Sequence, residues 1–328
     1  MASPDKKIIA VVGATGKQGG SVARTFLRLP AWHVRCLTRN PSSDAAQTLT
    51  ALGAEVVQAD LDDPSSLSRA FGGANAIFLN TDFFATFRGS LASGASVETS
   101  SRLAYDTEVS RGKNAVVAAA MVPTLERFVY SALQSIKKAS HGKYHRALHT
   151  EAKASIVEYI EHGQPELARR TSLIYLGAYN TNAFVVPQKD PETGGYGFAL
   201  PLPSNRRVPI VDPTEATGPF VRALVEDEAP GTRLLAYNTS SHLSIADVVD
   251  IWASVTGRKM TYTQTTVQAL HEKTKVPLEI LEGAGYLAEF DYCDGLDGII
   301  EPKQLKAEVQ TKSFEQWLRE GDLKNTVK

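Results

Sequence analysis

Eight residues near the start of the chain constrain its fold more than any other stretch. Gly13-Ala-Thr-Gly16-Lys-Gln-Gly19-Gly20 follows the β-rich run Ile8–Val12 and opens an amphipathic stretch with Val22, Phe26 and Leu29 at helical spacing. In such a strand–loop–helix unit, Gly13 permits the tight turn and Gly16 lets the backbone approach a pyrophosphate. Gly19 lets the helix pack against the strand. The helix start then offers free N–H groups and the positive end of its dipole to phosphates. The spacing is GxxGxxG rather than GxGxxG, and its context favours a dinucleotide site over an ordinary βα turn. Thr15, Lys17 and Gln18 complete the loop. Lys17 either adds charge near the phosphates or is a solvated loop lysine.

Beyond the loop, short apolar runs alternate with amphipathic stretches. Strands are expected at His33–Leu37, Glu55–Gln58, Ala76–Leu79, Phe128–Tyr130 and Thr171–Tyr175. Asp63-Pro64 reads as a helix start, with Asp as N-cap and Pro at the first helical position. The rhythm predicts an α/β protein, a Rossmann-type doubly wound parallel sheet with helices on both faces, plus a smaller α+β C-terminal substrate domain. Residues 1–185, with a return segment at about 206–256, are expected to form the nucleotide domain. Residues 186–205 and 257–328 are assigned to the smaller one. Asp82–Arg102 breaks the rhythm: Phe83, Phe84 and Phe87 precede a Ser/Gly/Ala-rich segment that reads as a flexible surface insertion or a substrate lid. Pro187–Pro209 reads as turns. Asp212–Val225, Ser244–Val255, Pro277–Leu287 and Ser313–Arg319 read as helices, and Leu234–Tyr237 and Met260–Thr263 as strands.

Composition removes several classes of function. Hydrophobic residues make up 43% and charged residues 22%, enough for a sizeable core. Thirty-five Lys+Arg against 36 Asp+Glu leave a net charge of −1, without the basic excess that coating nucleic acid requires, so no direct nucleic-acid binding is expected. The longest unbroken apolar run, Ala115–Val122, has eight residues, well short of the ~18 of a membrane span. No secretory leader is readable at Met1-Ala-Ser-Pro-Asp-Lys-Lys. With two cysteines, Cys36 and Cys293, the expectation is a reducing intracellular, cytoplasmic setting.

The strand ends suggest a ligand. An NAD site usually places Asp or Glu at the end of the second strand. Here that end reads Cys36-Leu-Thr-Arg39-Asn40, and Arg39 offers a planar fork to a ribose 2′-phosphate. NADP(H) is therefore the expected cofactor. Asp60-Leu61 ends the third strand, where Asp60 either accepts from the adenine amino group or caps the next helix. Asn80-Thr81 ends the fourth strand, and Ser131 follows the fifth. Farther on, His141, His145 and His149 lie four residues apart in a segment rich in Lys and Arg. A zinc site is disfavoured there, because Gly142 interrupts a continuous helix and the surrounding cations oppose a metal. His149-Thr-Glu-Ala-Lys153 is more informative. Ordinary short-chain dehydrogenases use Tyr-x-x-x-Lys, and none of the eleven tyrosines here is followed by Lys four residues later. His149 holds the tyrosine position, so Lys153 is expected to bind the nicotinamide ribose. His149 or water would supply the proton, and the cations Lys153 and Arg146 beside His149 are expected to disfavour its imidazolium form.

Together these residues resemble the NmrA-like family, atypical relatives of the short-chain dehydrogenases, and its fungal members in particular. The resemblance runs from the glycine loop through Thr38-Arg39-Asn-Pro and His149-x-x-x-Lys153. It continues through Gly177-Ala-Tyr179-Asn-Thr-Asn182 into Asp212-Pro213 and Thr217-Gly-Pro-Phe220. It implies a Rossmann domain, NADP(H) preference, and Gly13, Gly16, Gly19, Arg39 and Lys153 as cofactor residues. It also implies one of two functions. One is reduction of a small organic substrate in secondary metabolism; on the residues themselves, Phe83, Phe84 and Tyr179 either line an apolar substrate pocket or pack as core, and Asn182 is a further substrate candidate. The other is non-catalytic sensing of the NADP redox state through a protein partner. The longer Asp82–Arg102 segment, and Leu176 where a proline commonly precedes Gly177, depart from the family pattern at the substrate end.

Overall fold

A computed structural model of the chain describes residues 6–190 and 194–321. Residues 1–5, 191–193 and 322–328, and with them the outermost bounds of the expected domains, lie outside the described residues. The first half alternates as the sequence predicts: β1 (Lys7–Val12), α1 (Lys17–Leu27), β2 (Trp32–Thr38), α2 (Asp44–Ala51), β3 (Glu55–Gln58), α3 (Pro64–Phe71) and β4 (Ala76–Leu79). Next come α4 (Phe83–Ala92), α5 (Val97–Ala120), β5 (Arg127–Ala132), α6 (Ile136–Ala139), α7 (Leu148–Glu158), α8 (Pro165–Ala168) and β6 (Thr171–Leu176). The second half contains β7 (Ala178–Tyr179), β8 (Gln188–Lys189), β9 (Tyr196–Leu200), β10 (Arg207–Val211), α9 (Thr217–Glu226), β11 (Arg233–Ala236), β12 (His242–Ser244) and α10 (Ile245–Thr256). It ends with β13 (Met260–Gln264), α11 (Val267–Thr274), α12 (Leu278–Glu289), β14 (Ile299–Ile300) and α13 (Phe314–Glu320).

Eight strands form one sheet in the order β14-β11-β6-β5-β4-β1-β2-β3, and every pairing in it is parallel. The central strands β4 and β6 are buried at every position, as expected of strands covered on both faces, whereas the edge strand β3 is only half-buried. The order reverses between β1 and β4. Such a switch point opens a crevice at the carboxyl ends of the strands, where α/β sheets bind ligands.

Local chemistry explains several boundaries. Asp63 caps α3 by accepting from the Ser65 N–H, with Pro64 at the first helical position. Ser244 and Asp247 form a reciprocal capping box at the start of α10. Two expectations change. Asp82–Arg102 is not an irregular surface insertion: it folds as α4 and the start of α5, with Asp82 and Ser96 as N-caps. The apolar residues Phe83, Phe87 and Ala104 drive this, since they pack together against Ala152 of α7. Pro187–Pro209 holds β8, β9 and the start of β10 in addition to turns. Its hydrophobic positions Phe198, Leu200, Leu202 and Val208 belong to a second core with Ile245, Val248 and Trp252 of α10 and with Phe314 and Leu318 of α13. The Trp252 Nε1–H donates to the Val185 carbonyl at 2.8 Å. Within the segment 206–256, β10, β12 and α10 serve this second core, while α9 packs on α1 and β11 joins the large sheet.

Candidate functional site

The glycine loop sits at the switch point. Gly13 has φ +73°, a left-handed conformation that most residues avoid. Gly19 is required by space. A Cβ there would lie 2.2 Å from the Gly13 carbonyl oxygen and 2.8 Å from the Ala14 nitrogen, so any side chain would push α1 off the turn. Gly16 caps α1 in an extended conformation without a side-chain bond to the helix N–H groups. Thr15, Gly16 and Lys17 are exposed while Gln18, Gly19 and Gly20 are buried, so the loop presents its outer edge to solvent. The segment after β6 reaches this loop: the Gln18 Nε2 donates to the Tyr179 hydroxyl at 2.6 Å, and the Lys17 Nζ lies 3.3 Å from the Thr181 hydroxyl. Burial raises the Tyr179 phenol above its usual range. Asn182 stands beside this contact, its N–H bonded to the Tyr179 carbonyl. Two buried polar atoms here, Gln18 Oε1 and Asn180 Nδ2, have no partner among the described residues. The glycine cradle and these orphaned atoms fit a phosphate-bearing dinucleotide.

At the ends of β2 and β3 a pocket of about 270 Å³ is lined by Arg39, Gln58, Asp60, Asp63, Ser66 and Arg69. The exposed Arg39 guanidinium makes no hydrogen bond among the described residues. Asp60 accepts from the Asp62 N–H and leaves the capping of α3 to Asp63. Leu61 packs half-buried against the main core. Arg69, one face of α3 away, adds a second guanidinium that the sequence reading did not single out.

Lys153 lies on α7 with its side chain only 12% exposed. Its ammonium faces the ends of β4 and β5: Asn80 Oδ1 at 3.2 Å, the Thr81 carbonyl at 3.1 Å, Thr81 Oγ1 at 3.2 Å and the Ser131 carbonyl at 3.2 Å. The Tyr130 ring lies 5.5 Å away. A fully buried acid stands behind this group. Glu108 of α5 accepts a 2.5 Å bond from the Thr81 hydroxyl and lies 3.6 Å from the Lys153 Nζ. Burial pulls the Lys153 amine below its usual range, and Glu108 and Asp82 oppose that shift. Burial, then Glu108, pushes the Tyr130 phenol well above its own. Glu108 was missed from the sequence. The available signal was its spacing with Ala104 and Gly112, small residues on the same face of a helix that the sequence reading did not recognise.

His149, one turn before Lys153, is surrounded differently from the expectation. Arg146 turns onto Glu282 and Lys153 onto Glu108, while the His149 Nδ1 lies 3.3 Å from the buried Glu279 carboxylate. An acid therefore faces the imidazole where cations were expected. Glu279, Glu282 and Glu289 all come from α12, and Glu289 grips Lys143 and Tyr144. The helix thus clamps the segment that leads into α7. Phe83 and Phe84 contact the His149 ring, with centroids 6.0 and 5.2 Å away. Phe83 and Phe87 are 2% exposed and form packed core, whereas Phe84 stays half-buried. His141 and His149 do not share a helix face, because His141 and Gly142 both adopt positive φ and α7 begins only at Leu148. Among the described residues, no helix is long and apolar enough to cross a membrane.

Comparison with known proteins agrees with this architecture. The model of the NmrA-like family matches residues 5–318. An NmrA-like family domain-containing oxidoreductase, hkm9, of Aspergillus hancockii is 31% identical over 264 residues, covering 77% of this chain and 73% of that protein. Among solved structures, the negative transcriptional regulator NmrA in complex with NADP aligns with a TM-score of 0.67 at 21% identity, over 96% of this chain and 95% of that one. The leucoanthocyanidin reductase–NADPH complex of Vitis vinifera aligns with a TM-score of 0.69 at 14% identity, over 95% and 98%. At these identities the two structures speak to the fold alone. The family model, which spans nearly the whole chain, and the fungal relative show that this chain belongs to the NmrA-like family.

Proposed function

We propose that the chain is an NADP(H)-dependent oxidoreductase that reduces a small organic substrate. The observation that carries the reading is the position of Lys153, whose ammonium reaches Asn80, Thr81 and Ser131 at the strand ends beside the glycine loop. When bound, the nicotinamide supplies a hydride. The residues of the chain do the rest. Backbone N–H groups at Gly16–Gln18 receive the pyrophosphate, with Lys17 adding charge. Arg39 receives the 2′-phosphate, and Lys153 gives an N–H to the ribose hydroxyls. His149 or water delivers the proton to the reduced substrate, and Glu279 orients the imidazole through its Nδ1. Phe84, Tyr179 and Asn182 are the residues assigned to the substrate. The naming of the fungal relative as an oxidoreductase supports this reading.

A second reading, a non-catalytic sensor of NADP redox state that acts through a protein partner, is favoured by two observations. No Tyr-x-x-x-Lys is present, and Phe83 and Phe87 fill their space as core. The test is oxidation of NADPH against panels of carbonyl, enone and imine compounds. Turnover of any panel member supports the reductase. NADPH that binds but stays unoxidised throughout, with cofactor redox state altering affinity for a protein partner, replaces it with the sensor.

A further inference from the structure

We propose that Glu108 is a positioning residue: its buried carboxylate is the fixed counter-ion that keeps Lys153 an ammonium at the strand ends, with Thr81 as the link between them. The inference rests on the NADP(H) reading, in which Lys153 serves the cofactor. Glu108 is 1% exposed, and Lys153 is the cation beside it. Its Oε1 takes both the Thr81 hydroxyl and the approach of the Lys153 Nζ. Its Oε2 has no partner among the described residues. A buried carboxylate that leaves one oxygen unsatisfied is costly, and replacement of such a pair by apolar residues is often neutral for stability. Its presence is better explained by what it does to Lys153.

An ammonium has three N–H donors, and five oxygens surround this one within 3.6 Å. Lys153 can therefore release one N–H to a ribose hydroxyl and still be held from behind. From α5 comes Glu108. Asp82, the cap of α4, adds a second, more distant acid. From β5 comes Tyr130, whose ring lies beside the charge and whose hydroxyl is 3.3 Å from Thr81 Oγ1. From β4 and its end come Asn80 and Thr81. On α7 itself His149 is turned to Glu279, and Glu151 accepts from Ser135 and the Lys137 N–H. Lys137 and Lys138 of α6 are exposed. Glu108 is thus the nearest opposite charge, and burial would otherwise favour the neutral amine. The contact is built by helix packing: a Cβ on Gly112, one turn along α5, would lie 2.3 Å from Ile156 of α7, so the two helices approach closely just here.

The test follows NADPH affinity against pH in the full chain. The unmodified protein should lose affinity on an alkaline limb as Lys153 deprotonates, and Lys153→Arg, charged throughout, should flatten that limb. Glu108→Gln keeps an acceptor for Thr81 and removes the charge. The limb should then move to lower pH by roughly 1–3 units, the effect of an opposite charge at this range. Glu108→Asp should lie between. A limb that Glu108→Gln leaves in place, or an affinity independent of pH in the unmodified protein, overturns the proposal. A thermal-melting comparison needs no cofactor, and it serves if Glu108→Gln does not fold or if the chain binds no NADPH, which would sink the cofactor reading by itself. Lys153→Met should lower the midpoint, and adding Glu108→Gln should recover part of the loss. A further drop would show that the two charges are not a pair.

Discussion

Lys153 and His149 lie one turn apart on α7, yet the acid that faces each comes from a different part of the chain. Lys153 is held within the large sheet, by the ends of β4 and β5 and by Glu108 of α5. His149 is held from the C-terminal half, by Glu279 of α12, and is flanked by Phe83 and Phe84 of α4. Under the proposed function, the first environment serves the cofactor whether the chain reduces or senses. The second is where substrate chemistry or partner contact would be decided. A helical pair that looks like one unit in sequence therefore divides into two halves, each with its own acid.

Four experiments sharpen or break that division. The largest effect is expected at His149. His149→Phe retains a ring and removes the exchangeable proton, so a reductase that uses it as general acid should lose roughly 10²–10⁴-fold in turnover with NADPH affinity unchanged. Steady-state kinetics with an accepted substrate reads this, and full activity would assign the proton to water.

On the other half, Lys153→Met leaves Glu108 buried without its counter-ion. Breaking a buried pair by removing one partner costs about 3–5 kcal/mol. Urea denaturation should show that loss alongside weakened NADPH binding. A variant of normal stability and affinity would mean that Lys153 serves neither.

Arg39→Ala tests the far end of the cofactor. Losing a charge-assisted phosphate contact should cost about 1.5–3 kcal/mol, roughly tenfold to a hundredfold in NADPH affinity, and leave NADH nearly untouched. Arg69, on the same pocket, is the control: if it shares the phosphate, Arg69→Ala shifts the same ratio in the same direction. Equal affinities for both cofactors in the unmodified protein would remove the basis for the assignment. Titration calorimetry decides it.

The smallest effect concerns the α12 clamp. Hydrogen bonds from Lys143 and Tyr144 hold the Glu289 carboxyl below the usual carboxylate range. A depressed folded pKa contributes stability that is complete above the ordinary value, 4.5, and is lost as pH falls through the folded one. The protection factors of the α12 amides, corrected for the intrinsic exchange rate at each pH, should therefore fall on acidification below that value. In Glu289→Gln the same step should shrink. Glu289 is partly exposed, so solvent screening keeps the effect modest. An α12 whose protection ignores pH would show that the clamp rests on apolar packing instead.

The sheet and the cofactor end were legible because their signals are local. Gly13, Gly16 and Gly19 act through backbone conformation and close approach within one turn, and β4 and β6 announce themselves as short apolar runs between turn residues. The place of Arg39 at the end of β2 could be read because it depends on that strand alone. The Asp82–Arg102 segment was misread for a physical reason. Its helices are weakly amphipathic, and small residues such as Ala104 and Gly112 supply fit rather than an obvious apolar stripe. The same weakness hid Glu108. The β9 and β10 strands were obscured by neighbouring prolines and glycines, although their apolar positions fill a core with Trp252 and Phe314.

The sequence by itself determined the parallel α/β architecture, the dinucleotide cradle and the identity of the polar groups at the strand ends, since these follow from periodicity, glycine geometry and side-chain chemistry at neighbouring positions. Only the tertiary structure decided which charge each of those groups faces. Glu108 meets Lys153 because α5 and α7 pack closely at Gly112, and Glu279 meets His149 across 130 residues of chain because α12 folds back over the start of α7. Electrostatic partners are set by distance in space, and distance in space is fixed only when the whole core has closed.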